Sequence, residues 1–147
     1  MTTQLPTAIN LGGAWLLRPD PSDEGQRDDW WNFHRWWDKH LSMQVPGAWQ
    51  TVLGPDYHGI AWLARIARVP REWIDDSRSR LRLRFDAVAT DAIVQVNGIE
   101  VGRHSGDFLP FEFDITEAAR AGWAGTSPLK APGPDELNIC LRIDEVK

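Results

Sequence analysis

The residues from Leu81 to Thr116 constrain this chain more than any other stretch. Leu81, Leu83, Phe85 and Ala87 alternate with Arg82, Arg84 and Asp86, the period of two expected of a strand with one buried and one wet face. Ala92, Val94 and Val96 continue the pattern as far as Asn97-Gly98. An Asn-Gly pair between β-rich flanks predicts a two-residue hairpin turn, because both central positions need positive φ. The return strand, Ile99 to Val101, is expected to stop at Gly102. A polar loop, Arg103 to Asp107, then leads into an aromatic strand from Phe108 to Phe113. This is the pattern of the centre of an antiparallel β domain.

The flanking sequence carries the same signals. Leu11 to Arg18 reads as a first strand with Trp15 and Leu17 on one face, and Ser42 to Val45 as a short one ended by Pro46-Gly47. Trp49 to Gly59 is expected to be a loop. Ala61 to Val69 is apolar on both parities, so this strand should be covered on both sides. Pro70 to Ser79 reads as a connection, and Leu137 to Ile143 alternates as a closing strand. Asp114-Ile115-Thr116-Glu117 fits a capping box with Asp114 as N-cap; the brief helix it starts is expected to end at Gly122 in the left-handed region. Trp30, His34, Trp37 and Leu41 fall at helical spacing, which suits a short helix or a compact aromatic loop. The sum is an all-β antiparallel β-sandwich with one or two short helices, forming a single domain over residues 1–147.

Three motifs in order carry a family resemblance: F-x-A-V from Phe85, A-x-V-x-V-N-G from Ala92, and V-G-x-H-x-G-x-F-x-P-F-E-F-D-I-T from Val101. Gly13-Ala14-Trp15, Val45-Pro46-Gly47-Ala48-Trp49-Gln50, Trp62 to Pro70 and Glu136 to Asp144 fit as well. Together they resemble the N-terminal sugar-binding domain of family-2 glycoside hydrolases, the group of β-galactosidases, β-glucuronidases and β-mannosidases. The resemblance implies a jelly-roll sandwich with a galactose-binding-like fold. It also implies that the catalytic residues belong to a separate barrel domain further along, so that the downstream domains of a glycosidase are the expected partners.

Composition narrows the alternatives. A net charge of −5 argues against a nucleic-acid partner, which would need a concentrated positive face. Arg78, Arg80, Arg82 and Arg84 are a local exception, and alternation places the last three on one solvated strand face. The single cysteine, Cys140, cannot make an internal disulfide and reads as a small, half-buried strand residue. Met1 to Asn10 has neither a basic start nor an apolar run, and no segment has membrane-spanning length, so a cytoplasmic location with no membrane partner is the expectation.

Candidate chemistry is sparse. Glu112 and Asp114 share a strand parity at roughly 7 Å, within the range of a glycosidase carboxylate pair. Capping by Asp114 and outward alternation of Glu112 explain them better, so no catalytic residue is assigned. His34, Asp38 and His40, with His58 or His104, lack metal-ligand spacing. No G-x-S-x-G elbow or phosphate-binding glycine loop occurs, and no metal or cofactor is expected. In the Arg103–Asp107 loop, His104 and Asp107 could donate to and accept from sugar hydroxyls; the resemblance implies that this loop lies near the domain interface and shapes the surroundings of the active site.

Nine tryptophans leave Trp30, Trp31, Trp36 and Trp37 with three readings: packing, docking onto a catalytic domain, or a sugar platform. Four rings so close together cannot all point inward from one helix, so some should meet a partner unless loops cover them. A protein partner, the rest of a glycosidase, is the expected one for any exposed ring. The sequence therefore reads as a non-catalytic accessory domain of a family-2-like glycoside hydrolase that supports the catalytic domain and contributes loop contacts near the sugar site. The alternatives are a free-standing carbohydrate-binding module and a structural interaction domain without ligand.

Overall fold

The computed structural model describes residues 8–32, 34, 36, 40–47, 49–86, 91–106, 110–129, 133 and 135–145. Eight strands and three short helices follow in the order β1 (Gly13–Pro19), β2 (Leu41–Val45), α1 (Gln50–Leu53), β3 (Ile60–Arg68), α2 (Arg71–Asp75), β4 (Arg82–Phe85), β5 (Asp91–Val96), β6 (Ile99–His104), β7 (Phe111–Asp114), α3 (Thr116–Ala124) and β8 (Glu136–Asp144). They build a six-stranded sheet, β2-β1-β3-β8-β5-β6, and a two-stranded sheet, β4-β7. Every pairing is antiparallel. The fold is the all-β sandwich expected from the alternation, with three helices where one or two were expected. No described helix is long and apolar enough to cross a membrane.

β8 is the centre of the large sheet because it pairs with β3 along its whole length and with β5 on its other side. Its odd-numbered residues Leu137, Ile139, Leu141 and Ile143 join Leu17, Leu63, Val94 and Val96 in the main core. Leu81 and Leu83 from the small-sheet side and Ala118 and Ala119 from α3 close that core from the opposite layer. Full burial of each branched side chain contributes about 1.5–3 kcal/mol, so this face supplies most of the sandwich's cohesion. The sequence's period of two has its physical cause here.

β3 is covered on both sides, as its two apolar parities require. Its outer residues Ile60, Trp62 and Ala64 form a second core with Trp30, Trp36 and Cys140. The cover is the segment that follows β1, and the buried carboxylate of Asp20 pins it. Asp20 accepts hydrogen bonds from the Glu24 N–H at 2.7 Å, the Gly25 N–H at 2.9 Å and the Trp62 indole N–H at 3.0 Å. Only because these donors replace water can a carboxylate sit 1% exposed. Gly25 then crosses the Trp62 ring so closely that a Cβ would lie 2.5 Å from the indole nitrogen.

Several expectations are corrected by this packing. Among the described residues no α-helix forms between Trp30 and Leu41. Asp29 takes the left-handed φ of 56°, the Trp30 N–H reaches back to Gly25 O, and Leu41 already belongs to β2; Trp37 lies outside the described residues. Cys140 is buried rather than half-buried, and burial pushes its thiol pKa far up. The return strand passes Gly102 and runs to His104, while the expected connections at 49–59 and 70–79 contain α1 and α2. α3 ends at Gly125, φ 73°, not at Gly122. Its N-cap is Ile115, which makes no side-chain cap bond; Asp114, one residue earlier, accepts the Thr116 N–H of the first turn, and Glu117 turns outward to Arg80 instead of reaching back.

Candidate functional site

The hairpin turn carries more structure than its turn signal announces. Asn97 and Gly98 have φ of 52° and 79°, as the Asn-Gly pair requires. The Asn97 side chain is fully buried. Its Oδ1 accepts from the Asn138 N–H at 3.0 Å, and its Nδ2 donates to Ala118 O at 3.2 Å. One residue thus makes the turn, ties it to β8 and ties both to α3. A buried amide with both ends satisfied fixes a position that an apolar side chain could not. Asn97 had been legible only as a turn former.

The two carboxylates that looked like a pair are engaged elsewhere. Glu112 accepts from Arg82 at 2.9 Å, across the β4–β7 ladder. Asp114 Oδ1 accepts from the Thr116 hydroxyl at 2.6 Å and from the Thr116 N–H at 2.9 Å, and Arg80 approaches its other oxygen at 2.8 Å. The Thr116 hydrogen bonds, with help from Arg80, hold the Asp114 pKa at about 2, below its ordinary 3.8. These are outward contacts of a solvated arginine face.

At the end of the sandwich His104 lies at the tip of β6, opposite Ala92. Its ring stacks on Phe111 with centroids 3.9 Å apart and planes 8° apart. Phe111 in turn stacks on Phe85 at 5.0 Å and tilts against Phe113 at 5.5 Å. The row joins the edge of the large sheet to the small one. Gly102 is needed beneath it, because a Cβ there would stand 2.3 Å from the Phe113 ring. Beyond His104 the Ser105 hydroxyl donates to Asp91 at 2.7 Å. Asp107, the second candidate of this loop, lies outside the described residues.

Of the four clustered tryptophans, Trp30 and Trp36 are buried under the chain itself. Trp30 meets Trp62 edge-on at 6.1 Å, the Trp36 indole donates to Trp30 O at 2.9 Å, and the Arg18 guanidinium lies 3.9 Å over the Trp30 ring. Trp31 is half-buried and its indole donates to Asp29 at 3.2 Å. Trp37 lies outside the described residues, as does Asp38. Among the described residues, no three His, Cys, Asp or Glu side chains gather as a metal site; His34 is exposed and His40 partly buried.

Residues 31–126 match the family model described as "Glycosyl hydrolases family 2, sugar binding domain". A β-glucuronidase from Paenibacillus borealis is 34% identical over 117 residues, covering 77% of this chain and 19% of that protein. The β-glucuronidase of Homo sapiens is 31% identical over 143 residues, covering 91% of this chain and 20% of that protein. Among solved structures, Lactobacillus rhamnosus β-glucuronidase superposes with a TM-score of 0.75 at 30% identity, over 99% of this chain and 22% of that one. The chain thus spans about a fifth of the length of the curated relatives it matches.

Proposed function

The chain belongs to glycosyl hydrolase family 2 as its sugar-binding domain, and on that premise we propose that it is a non-catalytic accessory domain of a β-glucuronidase-type enzyme. It buttresses the catalytic domain and lends loop contacts near the sugar site from the end of the sandwich that carries His104. The observation that carries this reading is coverage: the match takes in most of this chain and only about a fifth of its β-glucuronidase relatives. The engaged state of Glu112 and Asp114 supports it. A second reading, a free-standing carbohydrate-binding module, is favoured by the half-buried Trp31 beside Arg142.

The test is a chimera in which this chain replaces the N-terminal domain of the Lactobacillus rhamnosus enzyme. The accessory reading expects it to cleave a chromogenic β-glucuronide faster than the same enzyme with that domain deleted. His104→Phe keeps the stack on Phe111 but removes the ring nitrogens, and is expected to lower kcat/KM by roughly tenfold, the value of one lost polar contact. Equal rates in chimera and deletion would count against the reading.

A further inference from the structure

The described part of the covering segment packs on the outer face of the large sheet over β3 and β8, and beside it, towards β5 and β6, lies a depression. Strand register shows what lies there. Trp62, Arg142 and Ile93 are direct partners across β3, β8 and β5. Cys140, Gln95 and Glu100 are partners across β8, β5 and β6. Gln26 and Trp31 reach in from the covering segment, and together these elements enclose a depression of about 220 Å³.

Its chemistry is specific. Arg142 donates through Nη2 to Asp23 at 2.9 Å and lies 4.0 Å from Asp144. Glu100 accepts twice from Arg103, at 3.0 and 2.9 Å. Both charges are therefore matched within the protein. The Nε–H of Arg142 is buried with no partner among the described residues, and that side chain is 11% exposed. Trp31 forms a wall whose orientation is fixed at both ends. Its indole N–H is held by Asp29, and its far edge rests on the hairpin turn, where a Cβ on Gly98 would stand 2.8 Å away.

We propose that this depression binds one neutral pyranose unit of a glycan. The sugar's apolar face lies on Trp31. Its hydroxyls exchange hydrogen bonds with the Gln26 and Gln95 amides and donate to the Glu100 carboxylate. A sugar acid is disfavoured because its carboxylate would face Glu100 and an arginine already neutralised by Asp23. The volume is below the ~300–1,000 Å³ of sites for drug-sized ligands, which suits one ring rather than an oligosaccharide. The site is compatible with the accessory role and with a free-standing module alike, so its test is independent of the chimera.

The experiment is nitrogen-15 NMR on the labelled protein, following tryptophan indole and arginine Nε–H signals. Methyl β-D-glucopyranoside, methyl β-D-galactopyranoside and sodium glucuronate are titrated separately to about 20 mM, enough to reveal a millimolar Kd. The site predicts saturable shifts of the Trp31 and Arg142 signals with at least one neutral glycoside, and weaker binding of glucuronate. Gln95→Ala, and independently Gln26→Ala, should each reduce the affinity roughly 3- to 10-fold with the remaining spectrum unchanged. No shift with any sugar would overturn the assignment. So would shifts confined to other residues, shifts indifferent to both variants, or tighter binding of glucuronate than of both neutral sugars.

Discussion

Asn97 of the hairpin turn and Gly122 of α3 are in such close contact that a Cβ on Gly122 would stand 2.1 Å from the Asn97 side-chain nitrogen. The helix can approach the turn, and Ala118 O can accept from Asn97, only because position 122 has no side chain. Gly122→Ala is therefore expected to destabilise the protein by about 1–3 kcal/mol, the usual cost of forcing atoms into a packed core. Asn97→Gly keeps the left-handed turn and removes the ties to β8 and α3. It should cost about 2–3 kcal/mol. Urea unfolding followed by circular dichroism reads both, and values within about 0.5 kcal/mol of the parent would refute the role assigned to this contact.

Asp20 should govern whether the tryptophan segment stays on the sheet. In Asp20→Asn an amide nitrogen can face the Gly25 and Trp62 donors in place of an acceptor. Losing hydrogen bonds to a buried charged group costs about 1.5–3 kcal/mol each. The expected result is a lower urea midpoint with a red-shifted tryptophan emission, as Trp30 and Trp62 become wetter. An unchanged emission maximum would mean that the cover does not depend on Asp20.

These two residues also mark where sequence legibility ends. Alternation in β4, β5 and β8 names the buried face, and Asn97-Gly98 names the turn, because both signals are local. The bonds from Asn97 to Asn138 and Ala118 join residues 41 and 21 positions apart, and no local pattern encodes them. Gly122 carried a signal that was read as a helix terminus; its reason is the neighbour it admits. The tryptophans have helical spacing, yet the burial of Trp30 and Trp36 follows from Asp20 and from the apolar outer parity of β3. That second apolar parity was the available clue that something must lie over Trp62. For the candidate site, His104 could be picked out as a residue but not as part of an aromatic stack, since Phe85 and Phe111 meet it only through the pairing of two sheets.

Acid should weaken one identifiable contact. The folded Asp114 pKa, about 2, lies below its ordinary 3.8, so its bonds to Thr116 and Arg80 add stability above roughly pH 4, and that stability is lost as the pH falls towards 2. Asp114 is partly exposed, so the effect is modest. Thr116→Val removes the hydroxyl that does most to hold this pKa down and should flatten the fall in thermal midpoint between pH 4 and 2. The same slope in parent and variant would remove Asp114 from the explanation.

The aromatic row at the sandwich end should behave as a stack rather than as a set of independent rings. His104→Ala is expected to cost about 0.5–1.5 kcal/mol, the range for an aromatic pair, while His104→Phe should be close to neutral. Gly102→Ala should be worse than either, because the new methyl meets the Phe113 ring. Chemical denaturation of the three variants gives the ranking directly, and a neutral Gly102→Ala would contradict it.

The central claim is that this chain supports glycoside hydrolysis without performing it, and assay of the purified chain alone tests that most directly. Chromogenic β-glucuronide, β-galactoside and β-mannoside are each offered at saturating concentration, with Glu112→Gln prepared in parallel. Because Glu112 is tied to Arg82 and Asp114 to Thr116 and Arg80, the account predicts no turnover above the uncatalysed rate for any of the three. Turnover that follows the purified chain and disappears in Glu112→Gln would contradict it.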